Sequence, residues 1–320
     1  MKLLFVADPL DSFKTHKDTT FAMMREAARR GRQIYACGPQ DLHWLRGGPV
    51  KARVVQLALT GRAGPNVHDW YTELGRSVTS LASFDAVIMR KDPPFDSEYF
   101  YATHLLERAE SHGAKVFNSP RALRDHPEKL SILEFPDFIP PTLVTRSADD
   151  VRAFHAEHRD IILKPLDGMG GAGIFRVGHD GMNLGSIIET LNLGGAQTLM
   201  VQRFVPEIAL GDKRVLVIGG LPVPYCLARI PQNGEVRGNL AAGGKGEVRE
   251  LTERDREIAN AIGPVLASRG LLLIGLDVIG NYLTEINVTS PTCFQEITAQ
   301  GGYDVPKRFM DAMEMAIVTH

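Results

Sequence analysis

Ile162-Leu163-Lys164-Pro165-Leu166-Asp167-Gly168-Met169-Gly170-Gly171-Ala172-Gly173-Ile174-Phe175-Arg176-Val177 is the stretch on which the fold turns. Its glycines spell G-x-G-x-x-G, the dinucleotide pattern. That pattern has its meaning only between a strand and a helix, because the pyrophosphate sits on the helix N-terminus. Here Ile174-Phe175-Arg176-Val177 follows, an apolar run that predicts a second strand. The loop therefore joins two strands, 160–166 and 174–177. A glycine hairpin of this kind lays backbone N–H groups over phosphates, since no Cβ prevents close approach. No G-x-x-x-x-G-K-[ST] occurs in the chain, which excludes a Walker-type site.

Lys164 stands on the strand that feeds the loop. A lysine among buried strand residues is costly unless its charge meets a partner, and a nucleotide phosphate is one. The competing reading is a strand-end lysine that reaches solvent. Lys129, on a short helix expected over 128–134, reads by itself as an exposed lysine.

Further on, Gly275-Leu276-Asp277-Val278-Ile279 and Leu283-Thr284-Glu285-Ile286-Asn287 set three oxygen-bearing side chains in otherwise apolar strands. Glu285 and Asn287 are two apart and face one side. A turn at Gly280-Asn281 folds Asp277 back near Glu285. Hard oxygen ligands of this type suit Mg²⁺ bridging nucleotide phosphates. The alternative is the polar outer face of a hairpin, but Val288-Thr289-Ser290-Pro291-Thr292 does not continue an amphipathic strand.

Lys213, Arg214, Arg229 and Arg237 flank these strands, and they are expected to converge where Asp212 and Asp277 project. Guanidinium groups suit carboxylate and phosphate because their donors form a planar fork. The stretch 231–246 is too long and glycine-rich for a plain connector, and it reads as an active-site lid.

The rest of the chain frames these motifs. Strands at 2–7, 32–37, 86–89 and 115–118 alternate with helices, one capped by Asp18 and one running from Asp96 to about His112. That order implies a mostly parallel sheet covered on both faces. Pro136, Pro140 and Pro141 mark a boundary. Ser147 and Thr252 each cap a later helix. The chain has 320 residues, 44% hydrophobic and 23% charged, enough for two or three domains sharing a cleft. A net charge of -2 gives no basic field for nucleic acid or an anionic membrane. The N-terminal apolar run stops at Asp8, too short for a signal peptide. No stretch approaches a membrane span. Three scattered cysteines, Cys37, Cys226 and Cys293, suggest neither a disulfide framework nor a zinc site, and each reads as a small core residue. A cytoplasmic enzyme is the expectation.

Taken in order, the motifs resemble those of the ATP-grasp ligases, and among them the bacterial glutathione synthetases. The stretches that carry the resemblance are Met89-Arg90-Lys91-Asp92-Pro93-Pro94-Phe95-Asp96, 162–171, Gly211-Asp212-Lys213-Arg214-Val215, 222–231, 238–244 and 283–293. They span nearly the whole chain, and the first lies outside generic nucleotide machinery. The resemblance implies an α/β ATP-grasp fold with three domains. These are an N-terminal Rossmann-like parallel-sheet domain (1–124), a central lid domain (125–204) and a C-terminal antiparallel-sheet domain (205–320). It implies that Lys129 and Lys164 hold ATP phosphates under a loop containing Gly168, Met169, Gly170 and Gly171. Gln202, Arg203, Phe204 and Val205 would form the hinge that reads adenine, with Asp212 at the ribose. Arg214, Arg229 and Arg237 would serve catalysis at the transferring phosphate or substrate carboxylate. Asp277, Glu285 and Asn287 would bind two Mg²⁺, with Mn²⁺ able to replace them. Arg237, Asn287, Ser290 and Pro291 would meet the peptide substrate. The implied reaction joins γ-glutamylcysteine to glycine with ATP, in a homo-oligomer that is a tetramer by the same resemblance.

Three rivals are distinguishable in the sequence. Another ATP-grasp ligase would share the nucleotide residues but not the 90–96 stretch. A non-catalytic ATP-binding module would not need Arg229, Arg237 and the full metal set. A nicotinamide dehydrogenase is disfavoured by the strand after Gly173.

Overall fold

The computed structural model describes residues 1–65, 67–232, 234, 235, 237, 238 and 243–319. Seven strands form the first sheet: β1 (Lys2–Val6), β2 (Gln33–Cys37), β3 (Leu42–His43), β4 (Lys51–Leu59), β5 (Tyr71–Ser80), β6 (Ala86–Met89) and β7 (Val116–Phe117). Their order is β3-β4-β2-β1-β6-β7, with β5 added on β4. β1 pairs in parallel with β2 and β6, and β6 with β7. Both faces of β1 are buried: Leu3 and Phe5 pack with Phe21 and Met24, while Leu4 and Val6 pack with Leu106. That two-sided burial is why β1 reads as a continuous apolar run. The flanking helices Thr19–Arg29 and Ser97–Glu110 start where Asp18 and Asp96 accept N–H groups from Phe21 and Tyr99.

This parallel core carries an antiparallel extension that the sequence reading leaves unassigned, since β4 runs against β2, β3 and β5. β5 is exposed over most of its length on both faces, so it has no apolar alternation to announce it.

The second sheet holds β8 (Thr142–Thr145), β9 (Ile161–Pro165), β10 (Phe175–Val177) and β11 (Leu199–Arg203) in the antiparallel order β10-β9-β11-β8. Ile161, Leu163, Val177, Leu199 and Val201 bury one face under Val151, Ile188 and Leu191 of helices Ala148–His158 and Leu184–Asn192. The other face, with Ile162, Lys164 and Gln202, turns to a cleft. The glycine loop does join antiparallel strands, with Phe175 opposite Leu163.

The third sheet runs β14-β13-β12-β15-β16, all antiparallel, from β12 (Asp212–Ile218), β13 (Leu221–Ile230), β14 (Lys245–Glu250), β15 (Leu273–Ile279) and β16 (Tyr282–Asn287). Helix Glu253–Ser268, opened by a reciprocal Thr252–Asp255 capping box, packs Ile258, Ile262 and Leu266 with Val215, Val217 and Leu276. Asn118 joins this sheet to the first: its amide donates to the carbonyls of Leu273 and Val288, both at 2.8 Å, and accepts from Leu273 N at 3.0 Å.

Three local expectations change. In place of the helix over 128–134 there is a short 3₁₀ turn, Ser131–Glu134. β14 begins at Lys245, inside the stretch read as a lid, while residues 233, 236 and 239–242 of that stretch lie outside the described residues. Lys213 does not converge with the arginines. Strand alternation turns it to the opposite face, where it pairs with the fully buried Asp255 and donates to Gly280 O at 3.1 Å. No described helix is long and apolar enough to cross a membrane.

Candidate active site

One cleft of about 310 Å³ lies between the second and third sheets. From the second sheet and the turn before it come Lys129, Lys164, Gly168, Met169, Gly170 and Gly171, then Gln202, Arg203, Phe204 and Val205. From the third come Asp212, Arg214, Arg229, Arg237, Asp277, Glu285, Asn287 and Ser290. Thus side chains as far apart in sequence as Lys129 and Glu285 meet because two sheets face one another.

Register builds the charged wall. Across the third sheet Arg214 stands opposite Asp277, and Asp277 opposite Glu285. Asp212 stands opposite Arg229 in the neighbouring row. Arg214 donates two hydrogen bonds to the Asp277 carboxylate, at 2.5 and 3.1 Å. Arg229 reaches Asp212 Oδ2 at 2.5 Å and Asp277 Oδ2 at 2.9 Å. Burial pushes the Asp277 carboxyl up, but the two arginines outweigh it and hold it below the usual carboxylate range. For Asp212 the balance reverses. Burial wins over Arg229 and the carboxyl rises, and its Oδ1 is buried with no hydrogen-bond partner among the described residues. A buried acceptor left open at a cleft wall is a place for a ligand donor.

On the facing wall Lys129 Nζ donates to Gly168 O at 2.5 Å and to Glu285 Oε1 at 3.1 Å, so it ties the glycine loop to the acidic strand. Among the described residues Lys164 Nζ donates only to a carbonyl, Thr284 O, at 3.1 Å. Burial pulls its pKa down to about 8 against the attraction of Glu285, with Lys129 adding repulsion. Two ammonium groups this enclosed form a receptacle for anionic oxygen. The loop needs its glycines: Gly170, Gly171 and Gly173 have φ of 63°, 84° and 72°, where L side chains are strained.

Other expected residues fall as follows. Gln202 is occupied with Thr142 Oγ1 at 3.0 Å. Arg203 turns its guanidinium to the hydroxyl of Tyr282 at 3.1 Å. Phe204 lies under the guanidinium of Arg176, 3.7 Å from the ring centroid. Arg237 reaches the rim and pairs there with Glu235 at 2.8 Å. Asn287 donates to Gly275 O at 3.3 Å through its amide nitrogen, and its amide oxygen accepts from no described residue. Ser290 donates to Asp92 Oδ1 at 2.5 Å. Pro291 does not line the cleft, because its carbonyl faces the buried Arg90, which donates to it at 3.0 Å.

Two charged cleft residues escape the sequence reading. Asp92 sits within a quoted stretch but has no role assigned there. Glu128 is signalled only by its place before Lys129, and a Glu-Lys pair is ordinary on a surface. Burial and the charge of Glu285 raise its carboxyl. The three cysteines are free and buried, and Cys293 also borders the cleft.

Two antiparallel sheets that grip a cleft, lysines on one wall and acids with arginines on the other, define an ATP-grasp ligase. The same architecture is found in D-cycloserine synthetase DcsG (TM-score 0.69, 15% identity, 99% of this chain and 100% of that one). It recurs in the ATP-grasp ligase PsnB, solved with minimal precursor, Mg and ADP (TM-score 0.62, 20% identity, 100% and 98%). The family description "Prokaryotic glutathione synthetase, N-terminal domain" matches residues 1–124, and "Prokaryotic glutathione synthetase, ATP-grasp domain" matches 128–302. The chain belongs to the prokaryotic glutathione synthetase family. Glutathione synthetase of Ralstonia nicotianae is 60% identical over 316 residues, covering 99% of this chain and 96% of its own. That of Neisseria meningitidis serogroup B is 58% identical over 313 residues, covering 98% of each. That of Bordetella parapertussis is 55% identical over 317 residues, covering 99% of each.

Proposed function

We propose that the chain makes glutathione from γ-glutamylcysteine, glycine and ATP, with ADP and phosphate as the other products. The observation that carries this reading is that similarity to glutathione synthetases runs through both halves of the molecule. The first 124 residues, which generic nucleotide machinery does not require, match as well as the ATP-grasp part.

The cysteinyl carboxylate of the dipeptide attacks the γ-phosphorus of ATP, and ADP leaves. The amine of glycine then attacks the acyl carbon, phosphate leaves, and the amine loses a proton. The protein positions the reactants, neutralises charge and excludes water from the acyl phosphate. Lys129, Lys164 and the glycine loop take the ATP phosphates, residues 202–205 the adenine, and the open Oδ1 of Asp212 the ribose. Arg214 and Arg229 face the transferring phosphoryl group, and Arg237 with Ser290 meets the dipeptide. No step needs a protein nucleophile, which agrees with three buried thiols.

Asp277, Glu285 and Asn287 would hold Mg²⁺. Among the described residues no group of three His, Cys, Asp or Glu side chains is placed to hold a metal by itself. Two carboxylates and an amide oxygen on one sheet face fit Mg²⁺, which takes one or two carboxylates together with substrate phosphates. When bound, it supplies positive charge at the phosphate oxygens. The assembled protein is proposed to be a homo-oligomer, a tetramer by family resemblance, and light scattering on a sizing column reads this directly.

Release of ADP, followed with ATP, Mg²⁺, γ-glutamylcysteine and glycine each omitted in turn, tests the reading. All four should be required. Comparable turnover on D-alanine alone would move the chain to a different ligase activity.

A further inference from the structure

β16 is the last strand of its sheet, and an outer strand ordinarily leaves its N–H groups to water. Here the N–H of Ile286 near its end, and those of Val288 and Thr289 just past it, are taken. Ile286 N donates to the main-chain oxygen of Glu128 at 3.0 Å. Val288 N donates to Glu128 Oε1 at 2.9 Å, and Thr289 gives the same oxygen its N–H at 3.1 Å and its hydroxyl at 2.8 Å. One carbonyl and one carboxylate oxygen thus stand where a neighbouring strand would be.

The segment held in this way carries Glu285, Asn287 and Ser290. The next residue, Lys129, grips Glu285 itself at 3.1 Å. Glu128 lines the cleft, yet among the described residues all three hydrogen bonds to its side chain go to Oε1. A carboxylate kept beside the Glu285 carboxylate is repelled by it. Three donors on one oxygen counter part of that repulsion, while burial and Glu285 together still leave the Glu128 carboxyl raised.

We propose that Glu128 is a positioning residue whose carboxylate, acting as a surrogate strand edge, sets where Glu285 and Asn287 meet the metal-bound phosphates. It thereby sets the Mg²⁺ concentration at which nucleotide binds. The proposal rests on the magnesium reading above. Because every contact goes to one oxygen, a carboxamide oxygen can serve in its place, so Glu128→Gln preserves the device and Glu128→Ala removes it.

The test is binding without turnover. The β,γ-imido analogue of ATP is titrated into the full chain by calorimetry across a series of magnesium chloride concentrations. Glu128→Ala should raise the Mg²⁺ needed for half-maximal tightening about tenfold, the scale of one lost charged hydrogen bond, with metal-free affinity within about twofold of wild type. Glu128→Gln should stay within about twofold of wild type, and Thr289→Val, which deletes one donor, should shift the requirement about threefold in the direction of the alanine variant. If the alanine variant does not fold, the glutamine and valine variants carry the test. A wild-type magnesium profile in the alanine and valine variants overturns the proposal. So does a glutamine variant with a magnesium requirement raised by about tenfold or more, because the charge would then be needed at the metal itself. Analogue binding by the wild-type chain that ignores Mg²⁺ sinks the metal reading and the proposal with it. A magnesium-dependent wild type with indifferent variants sinks the proposal alone.

Discussion

A Cβ on Gly275 would stand 2.8 Å from Cδ of Arg214, because the arginine side chain lies across that glycine to reach Asp277. The same Cβ would be 3.3 Å from Cβ of Pro291, so the proline also closes the space above the glycine. Gly275 has no need of a left-handed backbone, and its role is space.

Gly275→Ala is therefore expected to displace Arg214 from Asp277. Loss of one preorganised charge contact to a transferring group typically lowers turnover about 10²–10³-fold. Nucleotide affinity should change less, because Lys129, Lys164 and the glycine loop stand on the opposite wall. Steady-state kinetics beside calorimetric ADP binding separates the two, and unchanged kcat would show that Arg214 finds its place regardless.

Glu285 shares a strand face with Asn287 and accepts from Lys129. Glu285→Gln keeps the shape and removes a charge, so turnover at ordinary Mg²⁺ should fall about 10²–10³-fold while the melting temperature holds. Partial recovery at high Mg²⁺ is expected. Wild-type turnover in this variant would refute a metal role.

Lys164 gives a pH dependence. Facing it are Glu285, Lys129, Asp212 and Asp277, and burial brings it from its ordinary 10.5 to about 8. The unfolded chain thus binds more protons than the folded one between those values, so this group's contribution to stability rises with pH across that window. Bound phosphate favours the ammonium form, so ADP binding at about pH 9 should take up protons. Binding heats in two buffers of different ionisation enthalpy read the uptake, and Lys164→Met should abolish it. Equal heats in both buffers for the wild type would remove Lys164 from the phosphate site.

Arg237 pairs with Glu235 at the rim, and both side chains are partly exposed. A carboxylate or phosphate in the cleft is a competing partner for its fork. Arg237→Ala should raise the fraction of ATP hydrolysed without ligation, since the acyl phosphate loses shielding. In the wild type, ATP with dipeptide should slow trypsin cleavage after Arg237 or Lys245. Unaltered coupling together with ligand-independent cleavage would end the lid reading.

The sequence by itself determined whatever rests on short-range physics. The run after Gly173 marked the loop as a hairpin, because Ile174-Phe175-Arg176-Val177 is β-branched and aromatic and favours a strand, and the register of Phe175 opposite Leu163 agrees. Alternation placed Glu285 with Asn287, and the caps at Asp18, Ser147 and Thr252 were legible because capping is local chemistry. The tertiary structure alone decided which charges meet. Lys213 and Arg214 are neighbours, yet one faces Asp255 and the other Asp277, and only the location of the two packed layers tells which. β5 had no apolar face to read, being an exposed outer strand. Glu128 became legible only when β16 was seen to lack a neighbour, since hydrogen bonds across about 160 residues leave no period in the chain.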